Sequence, residues 1–140
     1  MTDQIKKIED IEREIIEEFE FFDDWADKYS HIIEMGEALP PLPESDKTEQ
    51  NLVPGCQSRV WLVAEIQDGK IFFHADSDAS ITKGLIALLT RVLSGQPQNS
   101  VVTANLDFIN QIGLGKHLSP TRANGFTGMI RKMKMLAARE

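Results

Sequence analysis

Pro40, Pro41 and Pro43, inside the run Leu39-Pro40-Pro41-Leu42-Pro43, limit the folds open to this chain more than any other feature. Proline fixes φ, donates no hydrogen bond and clashes with the preceding helical turn, so neither a helix nor a central strand can pass through the run. The chain must therefore break there, and the patterning differs on the two sides. Upstream, Ile5, Ile8, Ile11, Ile15, Ile16, Phe19 and Phe22 recur in steps of three and four, with Glu and Lys opposite, which predicts an amphipathic helix. Asp23 or Asp24 caps a second helix with the stripe Trp25, Tyr29, Ile32 and Ile33, and Gly36 weakens its end. Residues 38–52 are expected to be an irregular connection, extended through its prolines.

Downstream the period changes from 3.6 to 2. Val60, Leu62, Ala64 and Ile66 alternate with Arg59, Trp61, Val63 and Glu65, which predicts a strand with one face fully buried. Gln67-Asp68-Gly69-Lys70 is a hairpin turn and residues 71–75 the returning strand. Asp76-Ser77-Asp78 ends that strand and offers caps for a helix carrying Ile81, Leu85, Leu88, Leu89 and Val92, closed by Ser94-Gly95. Ser100 to Thr103 is expected as a third, short strand, and Asp107 to Ile112 as a short helix stopped by Gly113. Ser119-Pro120 starts a last helix with the stripe Phe126, Met129, Ile130, Met133 and Leu136. Helices, then antiparallel strands, then helices make the class α+β, and residues 1–140 read as one domain without repeat or linker.

Charge is divided as sharply as period. Residues 1–50 carry 16 acidic and 5 basic side chains, a net of −11, whereas residues 51–140 carry 6 and 10, a net of +4. The acidic half argues against a nucleic-acid partner, which needs a dense basic surface. No apolar run reaches the roughly 18–20 residues of a membrane span, and the N-terminus turns acidic at once, unlike a signal peptide. With a single cysteine there is no internal disulfide, so a cytoplasmic location is expected. Arg131, Lys132, Lys134 and Arg139 cluster on the last helix, either as a solvated face that suits the helix dipole or as a docking patch for a protein.

Little catalytic equipment is visible. The glycines form no phosphate loop, and His31, His74 and His117 have no metal-ligand spacing, so no metal and no cofactor are expected. The carboxylates of residues 9–24 read as a solvated helix face. Cys56 is different. Pro54-Gly55 places it at a turn before a strand, where a side chain is presented and the backbone can hinge. Gln57 and Ser58 can donate hydrogen bonds to a thiolate, and Arg59 is expected to lower its pKa. A second thiol would attack a persulfide and expel its outer sulfur while closing a disulfide. A solitary cysteine holds that sulfur until an acceptor arrives, which favours a carrier, although a redox-sensing thiol or a cysteine nucleophile stays open.

The run Val53-Pro54-Gly55-Cys56-Gln57-Ser58-Arg59-Val60-Trp61 resembles the signature of the SufE family, including its CsdE-like branch, around its sulfur-accepting cysteine. The resemblance continues through residues 76–85, Leu93-Ser94-Gly95 and residues 113–125. It implies an α+β fold with a three-stranded antiparallel sheet packed by N- and C-terminal helices. It also implies a persulfide carrier rather than a free-standing enzyme. The donor would be a pyridoxal-phosphate-dependent cysteine desulfurase of the SufS or CsdA type, which the carrier stimulates, and the sulfur would pass towards iron–sulfur cluster assembly. The pyridoxal phosphate would belong to the partner. By the same resemblance Cys56 is the acceptor, at the tip of a shielded loop that swings out with Pro54-Gly55 in its hinge. Trp61 either lines the cysteine pocket or packs in the core. Asp78, Lys83, Gly84, His117, Arg122, Asn124 and Gly125 fall in the remaining motifs, as candidates for partner contact or thiolate stabilisation. Arg122 leads them, although Ser119 to Asn124 also reads as plain helix-start chemistry. The rival readings are a thiol peroxidase or hydrolase acting without a partner, and a regulator that only binds.

Overall fold

The computed structural model describes residues 6–139, so Ile5 of the first apolar stripe lies outside the described residues. Helix α1 spans Ile8–Glu20 and α2 spans Trp25–Glu37, where the Asp24 carboxylate caps α2 by accepting from the Asp27 N–H at 2.9 Å. The proline run leads through short 3₁₀ turns at Glu44–Asp46 and Glu49–Asn51. Strands β1 (Val60–Gln67) and β2 (Lys70–Ser77) pair antiparallel from Val60 opposite Ser77 to Gln67 opposite Lys70. Asp68 and Gly69 both adopt positive φ, 54° and 78°, as a two-residue hairpin turn of the favoured hand requires.

Helix α3 (Ser80–Leu93) is the centre of the molecule: ten of its 14 residues are buried, and it packs against α1, α2, β2 and α6. Gly36 and Gly84 make the α2–α3 crossing close. A Cβ on Gly84 would lie 2.2 Å from the Ile32 carbonyl oxygen, and one on Gly36 would lie 2.7 Å from the Gly84 nitrogen. Gly36 is therefore a packing position within α2, which runs one residue beyond it.

The sheet has the order β1-β2-β3, but its third strand is Gln96–Pro97 rather than residues 100–103. Gly95, at φ 82°, turns the chain directly onto β2 and donates its N–H to the Ile71 carbonyl at 2.6 Å. Ser100 to Thr103 lie instead in α4 (Gln98–Thr103), with Val101 buried and Val102 exposed. Packing of α4 against α6 overrides the strand preference of the two valines. Helix α5 covers Phe108–Gln111, Gly113 ends it with φ 78°, and a 3₁₀ turn at Leu114–His117 leads to α6 (Pro120–Ala137). Ser119 caps α6 by accepting from the Arg122 N–H at 3.2 Å.

Two other expectations change. The inner face of β1 is buried only at Val60 and Leu62, and Ile66 is 40% exposed, because the hairpin tip projects past the helices. Asp76 and Asp78 do not cap α3. Asp76, 6% exposed, accepts from the Ser77 and Leu42 N–H groups and pairs with Lys83 and Lys47, which ties the proline connection to the sheet. Burial pushes the Asp76 carboxyl up, but these donors and Lys83 outweigh it and hold its pKa below the ordinary value. Among the acidic residues of α1, Glu18 is not simply solvated: it takes both nitrogens of Arg91 on α3 and one of His31 on α2. Among the described residues, no helix is long and apolar enough to cross a membrane.

Candidate thiol site

Cys56 sits on a loop whose two ends are tied together. The Val53 N–H donates to the Val60 carbonyl at 2.8 Å and Leu52 pairs with Trp61, so residues 54–59 form a flap on the end of β1. Asp78 secures the far stem: its carboxylate accepts from the Arg59 N–H at 3.0 Å, its own N–H donates to the Arg59 carbonyl at 3.2 Å, and the Ser77 hydroxyl donates there at 2.8 Å. Gly55 has φ 87° with open space around it, so the turn demands glycine for its conformation alone.

The flap is closed onto α6. The Cys56 thiol donates to the Gly125 carbonyl at 3.5 Å, and a Cβ on Gly125 would approach Sγ to 3.2 Å. One turn on, a Cβ at Gly128 would lie 2.6 Å from the Pro54 carbonyl. Two glycines within four helical residues cost stability; here they admit another backbone. Beside Sγ is a cavity of about 80 Å³ lined by Cys56, Gln57 and Ser58 of the flap, Thr82 and Leu85 of α3, and Thr121, Arg122, Gly125 and Met129 of α6. No imidazole and no carboxylate lines it.

A sequence model described as the SufE Fe-S metabolism associated domain matches residues 13–137. The chain belongs to the SufE family. Uncharacterized SufE-like proteins share it at similar lengths: one from Rhizobium meliloti is 41% identical over 86% of this chain and 90% of its own length. One from Synechocystis is 38% identical over 88% of this chain and 77% of its own. The solution structure of a hypothetical protein from Thermus thermophilus has the same fold, with a TM-score of 0.74 at 20% identity, covering 91% of this chain and 93% of that one. SufE membership associates the chain with iron–sulfur metabolism, and the three-stranded antiparallel sheet with flanking helices is the α+β arrangement the resemblance implies.

The residues shared with the SufE motifs do not all gather at one site. Gln57, Ser58, Arg122 and Gly125 line the cavity beside the thiol, and Pro54 and Gly55 precede Cys56 on the same loop. Asp78 holds the loop stem from outside the cavity. Lys83 pairs with Asp76, Gly84 serves the α2–α3 crossing, and Asn124 is exposed on α6. His117 stacks on Trp25 at 4.0 Å between ring centroids, and its carbonyl accepts from the Tyr29 hydroxyl. Trp61 lies on β1 with the Lys47 ammonium 5.4 Å from its ring and does not line the cavity. Thr82, Leu85, Thr121, Gly128 and Met129 went unnoticed as site residues in the sequence, where only the spacing of Gly125 and Gly128 within a helix hints at a close approach.

The expected lowering of the thiol pKa by Arg59 is not found. Burial pushes the Cys56 thiol above its ordinary value, and Arg59 is exposed. The closed flap therefore holds a neutral, donating thiol. Because the folded pKa is raised, closure is fully favoured below the ordinary thiol value of about 8.5 and weakens as pH rises past it, where an open loop ionises first. Alkylation of Cys56 by iodoacetamide, measured against pH without any partner, is expected to titrate with a midpoint above that of free cysteine. A midpoint below it would contradict the closed, neutral site.

Proposed function

We propose that this chain is a cytoplasmic sulfur carrier that accepts sulfane sulfur on Cys56 from a cysteine desulfurase of the SufS or CsdA type. It stimulates that enzyme and delivers the sulfur towards iron–sulfur cluster assembly. The observation that carries this reading is the solitary thiol on a loop packed against α6, its pKa pushed up by burial, beside a small cavity that neither an imidazole nor a carboxylate lines. A hydrolase or peroxidase acting alone would need the thiolate at rest and a general base to make it, whereas burial here favours the neutral thiol. A carrier needs the reverse: an inert thiol in store and a thiolate when a partner draws the flap out.

In the transfer step the Cys56 thiol loses its proton to solvent as the flap opens. The thiolate attacks the outer sulfur of the donor's persulfide, a new S–S bond forms on Cys56, and the old bond breaks with the donor's thiolate leaving. No redox partner is required, since one persulfide replaces another. The carrier itself holds neither a cofactor nor a metal, and the pyridoxal phosphate that releases sulfur from L-cysteine resides in the desulfurase. A single-turnover experiment tests the reading: desulfurase preloaded with persulfide, freed of cysteine, is mixed with this protein. Cyanolysable sulfur should move to the smaller chain, and sulfur that stays on the desulfurase sinks the proposal.

A further inference from the structure

The segment before the thiol lies along α6 as a strap. Cys56 meets Gly125, Val53 and the Pro54 carbonyl meet Gly128, and the Leu52 and Gln50 carbonyls meet Lys132. Positions 125, 128 and 132 recur in steps of three and four, so one face of the helix makes all three contacts, and the strap runs antiparallel to it. The first two contacts are close approaches of backbone to glycine, supplemented by a thiol, which is a weak donor. The third is of another strength. The Lys132 ammonium donates to the Leu52 carbonyl at 3.0 Å and to the Gln50 carbonyl at 3.2 Å, and such charge-assisted bonds are about twice as strong as neutral ones. Burial, and then Arg139 nearby, hold its pKa below that of an ordinary lysine, as expected for a cation enclosed by the contact it makes. Lys132 is thus not a free member of a basic patch, and neither is Lys134, whose ammonium donates to the Ala104 carbonyl.

The walls of the thiol cavity belong to different parts of the molecule, with Thr82 and Leu85 of α3 between the flap and α6. The flap is carried by β1 through Val53–Val60 and Leu52–Trp61, whereas Arg122, Gly125 and Met129 are carried by α6. Lys132 is the hydrogen-bonded link between α6 and the stem of the flap. We infer that Lys132 is a positioning residue for sulfur transfer, a latch that holds the stem at residues 50–52 against α6 and so sets how often Cys56 leaves its cavity. The consequence for transfer rests on the carrier reading above, but the latch itself is measurable without a desulfurase.

The test compares Lys132→Met, which keeps the apolar stem, with Lys132→Arg, which keeps the charge, and with Arg131→Met, which removes an exposed neighbouring cation. Cys56 in Lys132→Met should be alkylated by iodoacetamide at pH 7 roughly tenfold faster than in the parent, the low end of what losing hydrogen bonds from a charged donor is expected to cost. Amide exchange should quicken at residues 50–58 and stay unchanged in α3 and β2. Lys132→Arg should recover most of the protection, and Arg131→Met should match the parent. An unchanged alkylation rate in Lys132→Met overturns the latch. So does exchange that quickens equally in α3 and β2, which would make Lys132 an element of global stability only. Failure of the carrier reading would leave these rates as described and would appear only as sulfur absent from Cys56.

Discussion

Cys56→Ser is expected to abolish stimulation of the desulfurase while leaving its binding to this protein intact. A serine hydroxyl is too basic to supply an oxyanion near neutral pH, so it cannot open the donor's persulfide. The loss should be complete rather than partial, because the chain has no second thiol to substitute. Binding should survive, since the hydroxyl can occupy the cavity and donate to the Gly125 carbonyl as the thiol does. The two quantities are read separately, alanine release from L-cysteine for stimulation and calorimetry for binding. If Cys56→Ser still accelerates alanine release, the protein is a regulator that acts by contact and not a carrier.

The largest effect on stability is expected at Gly84. A Cβ there would lie 2.2 Å from the Ile32 carbonyl oxygen, 2.6 Å from Ile32 Cγ2 and 2.7 Å from the Ile32 carbonyl carbon. Two of these three atoms are backbone of α2, so relief requires the helices to move apart and not a rotamer change. Overpacking typically costs about 1–3 kcal/mol, and a clash between two helix backbones falls at or above the top of that range. Gly84→Ala should therefore lose about 3 kcal/mol, or roughly 10 °C in Tm for a domain of this size. Gly115→Ala is the matched comparison, because a Cβ at Gly115 meets nothing within 4 Å and that substitution should barely move Tm. Equal melting temperatures for the two variants would show that the α2–α3 crossing is not as close as described.

Gly84 also illustrates what the sequence did and did not disclose. Its place in a shared motif is visible in the letters, but its partner Ile32 is 52 residues away, and only the fold brings the two helices together. Local features were legible: the Asp24 and Ser119 caps, the Asp68-Gly69 turn and the stripe of α3 each depend on neighbours in the chain. The turn that presents Cys56 was legible for the same reason. Features set by distant packing were not. Val101 and Val102 look like strand but lie in α4, which packs on α6 with Val101 buried, and Gly95 rather than a turn signal decides where the third strand falls. Arg59 stands three residues from Cys56 but is exposed, whereas burial beneath α6, 69 residues further along, governs the thiol. Lys132 read as one of four surface cations until its carbonyl partners came into view.

The destination of the sulfur separates a carrier from a regulator, and one measurement follows it. The protein is mixed with its desulfurase and L-cysteine, quenched by alkylation, digested and examined by mass spectrometry. A gain of one sulfur atom on the peptide containing Cys56, absent without the desulfurase and removed by a reducing thiol, is the predicted result. If the desulfurase turns over and carries its own persulfide while the Cys56 peptide gains nothing, Cys56 is not the acceptor and the carrier account is wrong.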